Sequence, residues 1–253
     1  MKLLGSDYDG TLNYGGIDEA KLSAIQKWRS AGNLFGIVSG RGIDFRKTLL
    51  QDFPTLAYDF FVACNGGYIT DGEGRLIYEK RCDTLPILTF AADLLEWGCK
   101  YIHVNGTAYA CLVKDRADSP YSPSDPRVYL IEEMPPMEYF NQISVQLSSV
   151  AEAALLTRKI GEKYKEWVTP LQNGICIDIV PLGINKTQGL YRVMEFFGCH
   201  YEDVITVGDN LNDMDMIQEF RSYAMENGVE TIRSLANATV ASVTGLIEKE
   251  LKI

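Results

Sequence analysis

Residues 2–11 read Lys2-Leu3-Leu4-Gly5-Ser6-Asp7-Tyr8-Asp9-Gly10-Thr11. The apolar run over 2–6 predicts a short buried strand that stops at Asp7. Open α/β sheets bind ligands beyond the carboxyl ends of their strands, which is where this acidic segment falls. Residues two apart in an extended chain share a face, so Asp7 and Asp9 are expected to start on one side. Gly10 lets the chain turn sharply and leaves its N–H open to an anion. Two carboxylates so close repel each other unless a cation lies between them.

The flanking sequence supplies the rest of such a sheet. Ile17 to Ala31 carries Leu22, Ile25 and Trp28 on one helical face, with Asp18 as N-cap and Gly32 just past the end. Residues 34–38 (LFGIV) form a second strand, stopped by Ser39-Gly40-Arg41, and a polar helix runs on to about residue 51. Residues 60–64 (FFVAC) form a third strand. The stretch YIT, a DGEG turn and RLIYEK then read as a hairpin. Strand–helix–strand alternation implies a parallel sheet with helices on its faces.

From about Asp83 the pattern becomes antiparallel α+β. A helix over Leu85 to Trp97 precedes YIHV-NG-TAYACLV, where Asn105-Gly106 reads as a hairpin turn. Ser119 to Pro136 holds five of the nine prolines and is expected to be loop-rich. QISVQLS is a strand, Val150 to Lys165 a helix, and ICIDIV a strand closed by Pro181. The α/β alternation resumes after Gly183, with a helix over Lys186 to Phe197 and a strand DVITV ending at Gly208-Asp209. The expected architecture is a Rossmann-like, doubly wound parallel-sheet core (1–82 and 184–253) with an inserted α+β domain (83–183).

Three further groups add to this segment. Ser39-Gly40-Arg41 ends a strand and makes an anion-binding turn. Lys186 lies in a helix's first turn, an unfavourable place for a cation by helix-dipole reasoning. Asp209 and Asp213, in Gly208-Asp209-Asn210-Leu211-Asn212-Asp213, are four apart and share a side if the segment is helical. Hard oxygen ligands of this kind suit Mg²⁺ rather than zinc.

In order and kind, these four groups resemble the motifs of the haloacid dehalogenase (HAD) superfamily. DYDGT corresponds to motif I, Ser39 in SGR to motif II, Lys186 to motif III and GDNLND to motif IV. Within it the chain is similar to the Cof-type phosphatases, which carry a large C2 cap between motifs II and III. Asn65-Gly66 and Asn227-Gly228 also look like that subfamily. Residues 12–38 leave room for only one helix and one strand, whereas 42–185 accommodate a full cap.

The resemblance implies a Mg²⁺-dependent phosphatase of small phosphorylated metabolites, sugar phosphates first among them, and the cysteine usage implies a cytoplasmic location. Asp7 is then the nucleophile and Asp9 the general acid and base. Mg²⁺ is held by Asp7, the Asp9 backbone carbonyl and Asp209, with Asp213 in support. Gly10, Thr11, Ser39, Gly40, Lys186 and Asn212 are expected around the phosphate, and Arg41 either at the substrate or the cap or in a surface ion pair. A phosphomutase of the phosphomannomutase type and a non-catalytic sugar-phosphate sensor are the alternatives. The chain is expected to be a monomer or a homodimer.

Composition bounds the rest. Lys and Arg number 24 against 34 Asp and Glu, a net charge of −10. That argues against binding nucleic acid by phosphate neutralisation and against a polybasic membrane surface. The six cysteines show no C-x-x-C spacing, and the start shows no secretory h-region, so reduced thiols are expected. His103 and His200 are the only histidines; His103 is expected to be packed or at the surface.

Overall fold

The structure is a computed structural model and describes residues 1–122, 124–134 and 136–252. Contacts divide the chain into two compact units, Met1–Glu79 with the segment from Asn185 onward, and Lys80–Ile184.

The first unit begins with β1 (Leu3–Ser6), α1 (Glu19–Ser30), β2 (Leu34–Val38), α2 (Phe45–Asp52), β3 (Phe60–Ala63), β4 (Tyr68–Asp71) and β5 (Leu76–Glu79). In α1 the buried stripe is Lys21, Ala24, Ile25 and Trp28, and Asp18 caps the helix by accepting from the Lys21 N–H at 2.9 Å. Leu22 is only partly buried against this core.

The second unit holds α3 (Ile87–Glu96), β6 (Tyr101–Gly106), β7 (Tyr109–Val113), β8 (Val128–Leu130), β9 (Phe140–Gln146), α4 (Val150–Lys163), β10 (Val168–Asn173) and β11 (Cys176–Pro181). Its sheet runs β10-β11-β9-β6-β7-β8, antiparallel except for the β7–β8 pair. One face buries Ile102, Val104, Ile143, Val145, Ile177 and Ile179 in a cluster with Phe90 and Leu94 of α3 and Leu156 and Ile160 of α4. Two sequence expectations are corrected here. Asn105 and Gly106 do not form the hairpin turn; they continue β6, and the chain reverses at Thr107-Ala108. A side chain at Gly106 would lie 2.1 Å from the Tyr139 carbonyl oxygen, so the glycine answers a close strand approach. The segment VTPLQN forms β10, which carried no strand signal because Pro170 lies inside it. Its place at the sheet edge tolerates the missing N–H. Two of the prolines expected in a loop, Pro123 and Pro135, lie outside the described residues.

The chain then returns to the first unit with α5 (Lys186–Phe197), β12 (Val204–Gly208), α6 (Met214–Glu219), β13 (Arg221–Met225), α7 (Glu230–Leu235), β14 (Ala238–Val240) and α8 (Val243–Leu251). The eight-stranded sheet runs β14-β13-β12-β1-β2-β3-β4-β5. The strands from β14 to β3 are parallel, and the β4–β5 hairpin is added antiparallel at one edge. All four residues of β1 are buried, as expected for a parallel strand covered on both faces. In register, Ser6 pairs with Ile37 of β2 and with Val207 of β12. The chain segments that follow β1, β2 and β12 therefore emerge side by side at one end of the sheet.

Candidate active site

Asp7 extends the ladder one step past β1, its N–H donating to the Val207 carbonyl at 2.9 Å. The next residues leave the extended conformation in a kinked helical turn. Asp9 has φ −76° and ψ 124°, and Gly10 has φ 77°. Strand alternation ends at Ser6, so Asp7 and Asp9 are placed by this turn and not by the pleat, and the two carboxylates meet different surroundings. Asp7 is 5% exposed, whereas half of the Asp9 side chain is in solvent.

Lys186 enters from the first turn of α5. Asn185 caps that helix, its side chain accepting from the Gln188 N–H at 2.9 Å. The lysine is fully buried, and its Nζ donates to Asp7 Oδ1 at 2.6 Å and to Asp213 Oδ1 at 2.5 Å. Its unusual helix position is explained by these two acceptors. Asp213 is fully buried, and its second oxygen accepts from the Asp209 N–H at 2.9 Å and the Asn210 N–H at 3.1 Å. This folds the segment after β12 back on itself and faces the Asp209 carboxylate toward motif I. Thr11 Oγ1 donates to Asp209 Oδ1 at 2.7 Å. Gly10 is the only residue type that fits its position, because a Cβ there would sit 2.3 Å from Asp209 Oδ2 and φ is positive.

One carboxylate oxygen from each of Asp7, Asp209 and Asp213 thus lies within 4.8 Å of the other two. Burial, and then the Asp213 charge, hold the Asp7 carboxyl well above its ordinary range, against the opposing pull of Lys186. Burial likewise raises Asp209, opposed by the Thr11 hydrogen bond. Burial alone would depress Lys186, but the Asp213 and Asp7 charges outweigh it and hold the ammonium protonated. Three acidic side chains around one ammonium gather hard oxygen donors that a cation would draw into their charged form. That donor set fits a small divalent cation of the Mg²⁺ kind.

The remaining sequence-predicted residues fall around this cluster. Ser39 is buried, and its Oγ accepts from the Arg41 N–H at 3.1 Å. Arg41 does not join the acidic cluster; its guanidinium forks onto Asp9, Nε to Oδ2 and Nη2 to Oδ1, both at 2.7 Å. Gly40 and Asn212 are half-buried in the turns after β2 and β12. His103 lies in the second unit among the rings of Tyr101, Tyr109 and Tyr121, with its buried Nε2 lacking a hydrogen-bond partner.

Two residues outside the expected site set brace the segment that follows β1. Asn227 Nδ2 donates to the Gly10 carbonyl at 2.9 Å and so anchors the motif I turn. Lys21 Nζ donates to the carbonyls of Tyr14 and Gly16, tying down the loop that follows. A signal for Lys21 was present, since it falls on the stripe of Ala24, Ile25 and Trp28 at helical spacing.

A parallel sheet presenting a buried acid–lysine cluster at its strand ends makes a site that could hold a cation and, through it, an anionic group. The chain belongs to the haloacid dehalogenase-like hydrolases, whose family model matches residues 4–245, and it is an enzyme of the HAD phosphatase type. It is 24% identical over 268 residues to the Escherichia coli 5-amino-6-(5-phospho-D-ribitylamino)uracil phosphatase YbjI, covering 100% of this chain and 97% of that protein. It is also 24% identical over 278 residues to the E. coli pyridoxal phosphate phosphatase YbhA, covering 96% and 94%. Its fold matches that of the HAD subclass IIB sugar phosphatase BT4131 with a TM-score of 0.79 at 19% identity, covering 100% of both chains. Among the described residues, no helix is long and apolar enough to cross a membrane.

Proposed function

We propose that the protein hydrolyses phosphate monoesters of small metabolites with Mg²⁺ as cofactor, through an aspartyl-phosphate on Asp7. The observation that carries this reading is Lys186 bridging Asp7 and Asp213 beside Asp209. The bridge fixes one oxygen of Asp7 and leaves the carboxylate anchored at the end of β1. Asp7 forms the bond to phosphorus while the ester oxygen leaves. Asp9 protonates that oxygen and then takes a proton from the water that cleaves the acyl phosphate. Ser39 and Lys186, with N–H groups near Gly10 and Gly40, hold the phosphoryl oxygens, and Asn212 adds a contact. Asp7, the Asp9 carbonyl and Asp209 would hold Mg²⁺, supported by Asp213. Bound there, it supplies positive charge to the phosphoryl oxygens and offsets their repulsion from Asp7.

The second unit is proposed to act as the cap that selects the substrate. Sugar phosphates remain the leading class. The named activities of YbjI and YbhA add phosphorylated ribitylaminouracil and pyridoxal phosphate as the first compounds to try. Six free cysteines accord with a cytoplasmic, reducing location. The test is a phosphate-release screen over a panel of metabolite esters with Mg²⁺ and with chelator. Release that depends on Mg²⁺ supports the proposal. No release from any ester, or equal release with chelator, contradicts it.

A further inference from the structure

The fork between Arg41 and Asp9 is poorly suited to a stabilising role. About half of each side chain is in solvent, 46% for Arg41 and 49% for Asp9, and exposed ion pairs contribute little to stability. Yet the guanidinium is restrained by more than its ion pair. Its centre lies 4.4 Å from the Phe45 ring centroid and 5.4 Å from that of Tyr8. Those two rings pack edge-on at 4.7 Å. The Arg41 backbone is pinned by its N–H to Ser39 Oγ at 3.1 Å and by its carbonyl, which accepts from the Cys64 N–H at 2.8 Å. A costly amount of order is thus imposed on a side chain whose ion pair contributes little. What that order fixes is the Asp9 carboxylate, which a free side chain would spread over three rotamers.

We propose that Arg41 is the positioning residue for Asp9, not a ligand of the substrate phosphate. The inference rests on the reading of Asp9 as general acid and base. In the first half-reaction the Asp7 oxygen–phosphorus bond forms as the phosphorus–ester oxygen bond breaks. The Asp9 proton passes to the departing oxygen, and Asp9 becomes a carboxylate. Arg41 holds both oxygens of the Asp9 carboxylate at 2.7 Å, so the fork sets where that carboxylate stands when the ester oxygen departs. In the second half-reaction the carboxylate takes a proton from water as the Asp7–phosphorus bond breaks, which restores the starting state. Arg suits this role better than Lys, because only the planar fork fixes the carboxylate in both position and plane.

The test is kcat/KM with Mg²⁺ for p-nitrophenyl phosphate and for phenyl phosphate, in wild type, Arg41→Gln, Arg41→Lys, Asp9→Asn and the Arg41→Gln/Asp9→Asn double variant. p-Nitrophenolate leaves without a proton, whereas phenolate, being more basic, gains from one. The expected result is a loss of about 10- to 100-fold for Arg41→Gln on phenyl phosphate and of less than about threefold on p-nitrophenyl phosphate. Arg41→Lys should fall between and keep the same bias, and it reports on the role if the glutamine variant misfolds. In the double variant, Arg41→Gln should add nothing to the Asp9→Asn loss. Equal losses on both esters with a raised KM would overturn the proposal in favour of a phosphate contact. Unchanged rates would reduce the fork to a surface ion pair, again overturning it. Wild-type rates in Asp9→Asn would instead overturn the assignment of Asp9 itself.

Discussion

Lys186 Nζ lies 2.6 Å from Asp7 Oδ1 and 2.5 Å from Asp213 Oδ1, with no part of the lysine exposed. A buried charge network of this kind is weak evidence for stability but costly to break from one side. Lys186→Met keeps the volume and removes the ammonium, leaving the carboxylates uncompensated. In chelator the variant should lose about 3–5 kcal/mol in urea unfolding. Mg²⁺ should restore part of that loss by binding only the folded state. Equal stability of variant and wild type in chelator would show that the bridge neutralises nothing.

Gly10 marks how closely the two acidic segments approach. Gly10→Ala puts a methyl group 2.3 Å from Asp209 Oδ2 at a φ of 77°. The backbone strain costs about 1–2 kcal/mol, but the larger effect should be displacement of the Asp209 carboxylate. Titration calorimetry should show Mg²⁺ affinity reduced by at least about tenfold, with circular dichroism unchanged. Unchanged affinity would separate Asp209 from the metal.

The C-terminal helix is locked to the sheet through Glu250. Its carboxylate accepts from the Tyr223 hydroxyl at 2.5 Å and from Lys2 Nζ at 2.9 Å, and it pairs with Arg221. Burial works to raise its pKa, but the hydrogen bonds from Tyr223 and Lys2 and the nearby Arg221 charge hold it below its ordinary 4.5. A carboxyl depressed on folding stabilises the protein above its unfolded pKa, and that contribution is lost as pH falls through the folded value. Glu250→Gln should therefore cost about 1–3 kcal/mol at neutral pH. The gap from wild type should close as the pH drops below 4.5. A gap independent of pH would remove the charge from the explanation.

His103 gives a pH effect confined to the second unit. Burial, with the Arg127 charge behind it, pushes its pKa down from 6.5 to about 4. Between these values the unfolded chain takes up a proton that the folded chain refuses, so stability falls as the pH falls from 6.5 toward 4. His103→Phe removes this dependence and an unpartnered Nε2 together. Its melting temperature should decline less than wild type's over that interval. An identical decline in both would contradict the buried, neutral state.

How much was legible in the sequence follows from what kind of information each feature carries. Asp7, Ser39 and Asp209 each follow an apolar run of a parallel sheet, so period and strand ends locate them. The sheet register then places the ends of those runs together. The partnership of Arg41 with Asp9 was not legible, because it depends on the path of a turn after the strand has stopped. Asn105-Gly106 misled because the dipeptide serves equally for a turn and for a crowded strand crossing. β10 was hidden because Pro170 is penalised in a central strand but tolerated at an edge.

The central claim is that Asp7 becomes covalently phosphorylated, and acid-quenched single turnover with a radiolabelled phosphate ester tests it most directly. The account predicts label on a peptide containing Asp7 in wild type and none in Asp7→Asn. In Asp9→Asn, tested with p-nitrophenyl phosphate, label should accumulate because water attack has lost its base. Turnover at wild-type rate in Asp7→Asn, or label confined to free phosphate at every quench time while Asp9→Asn still turns over, would contradict it.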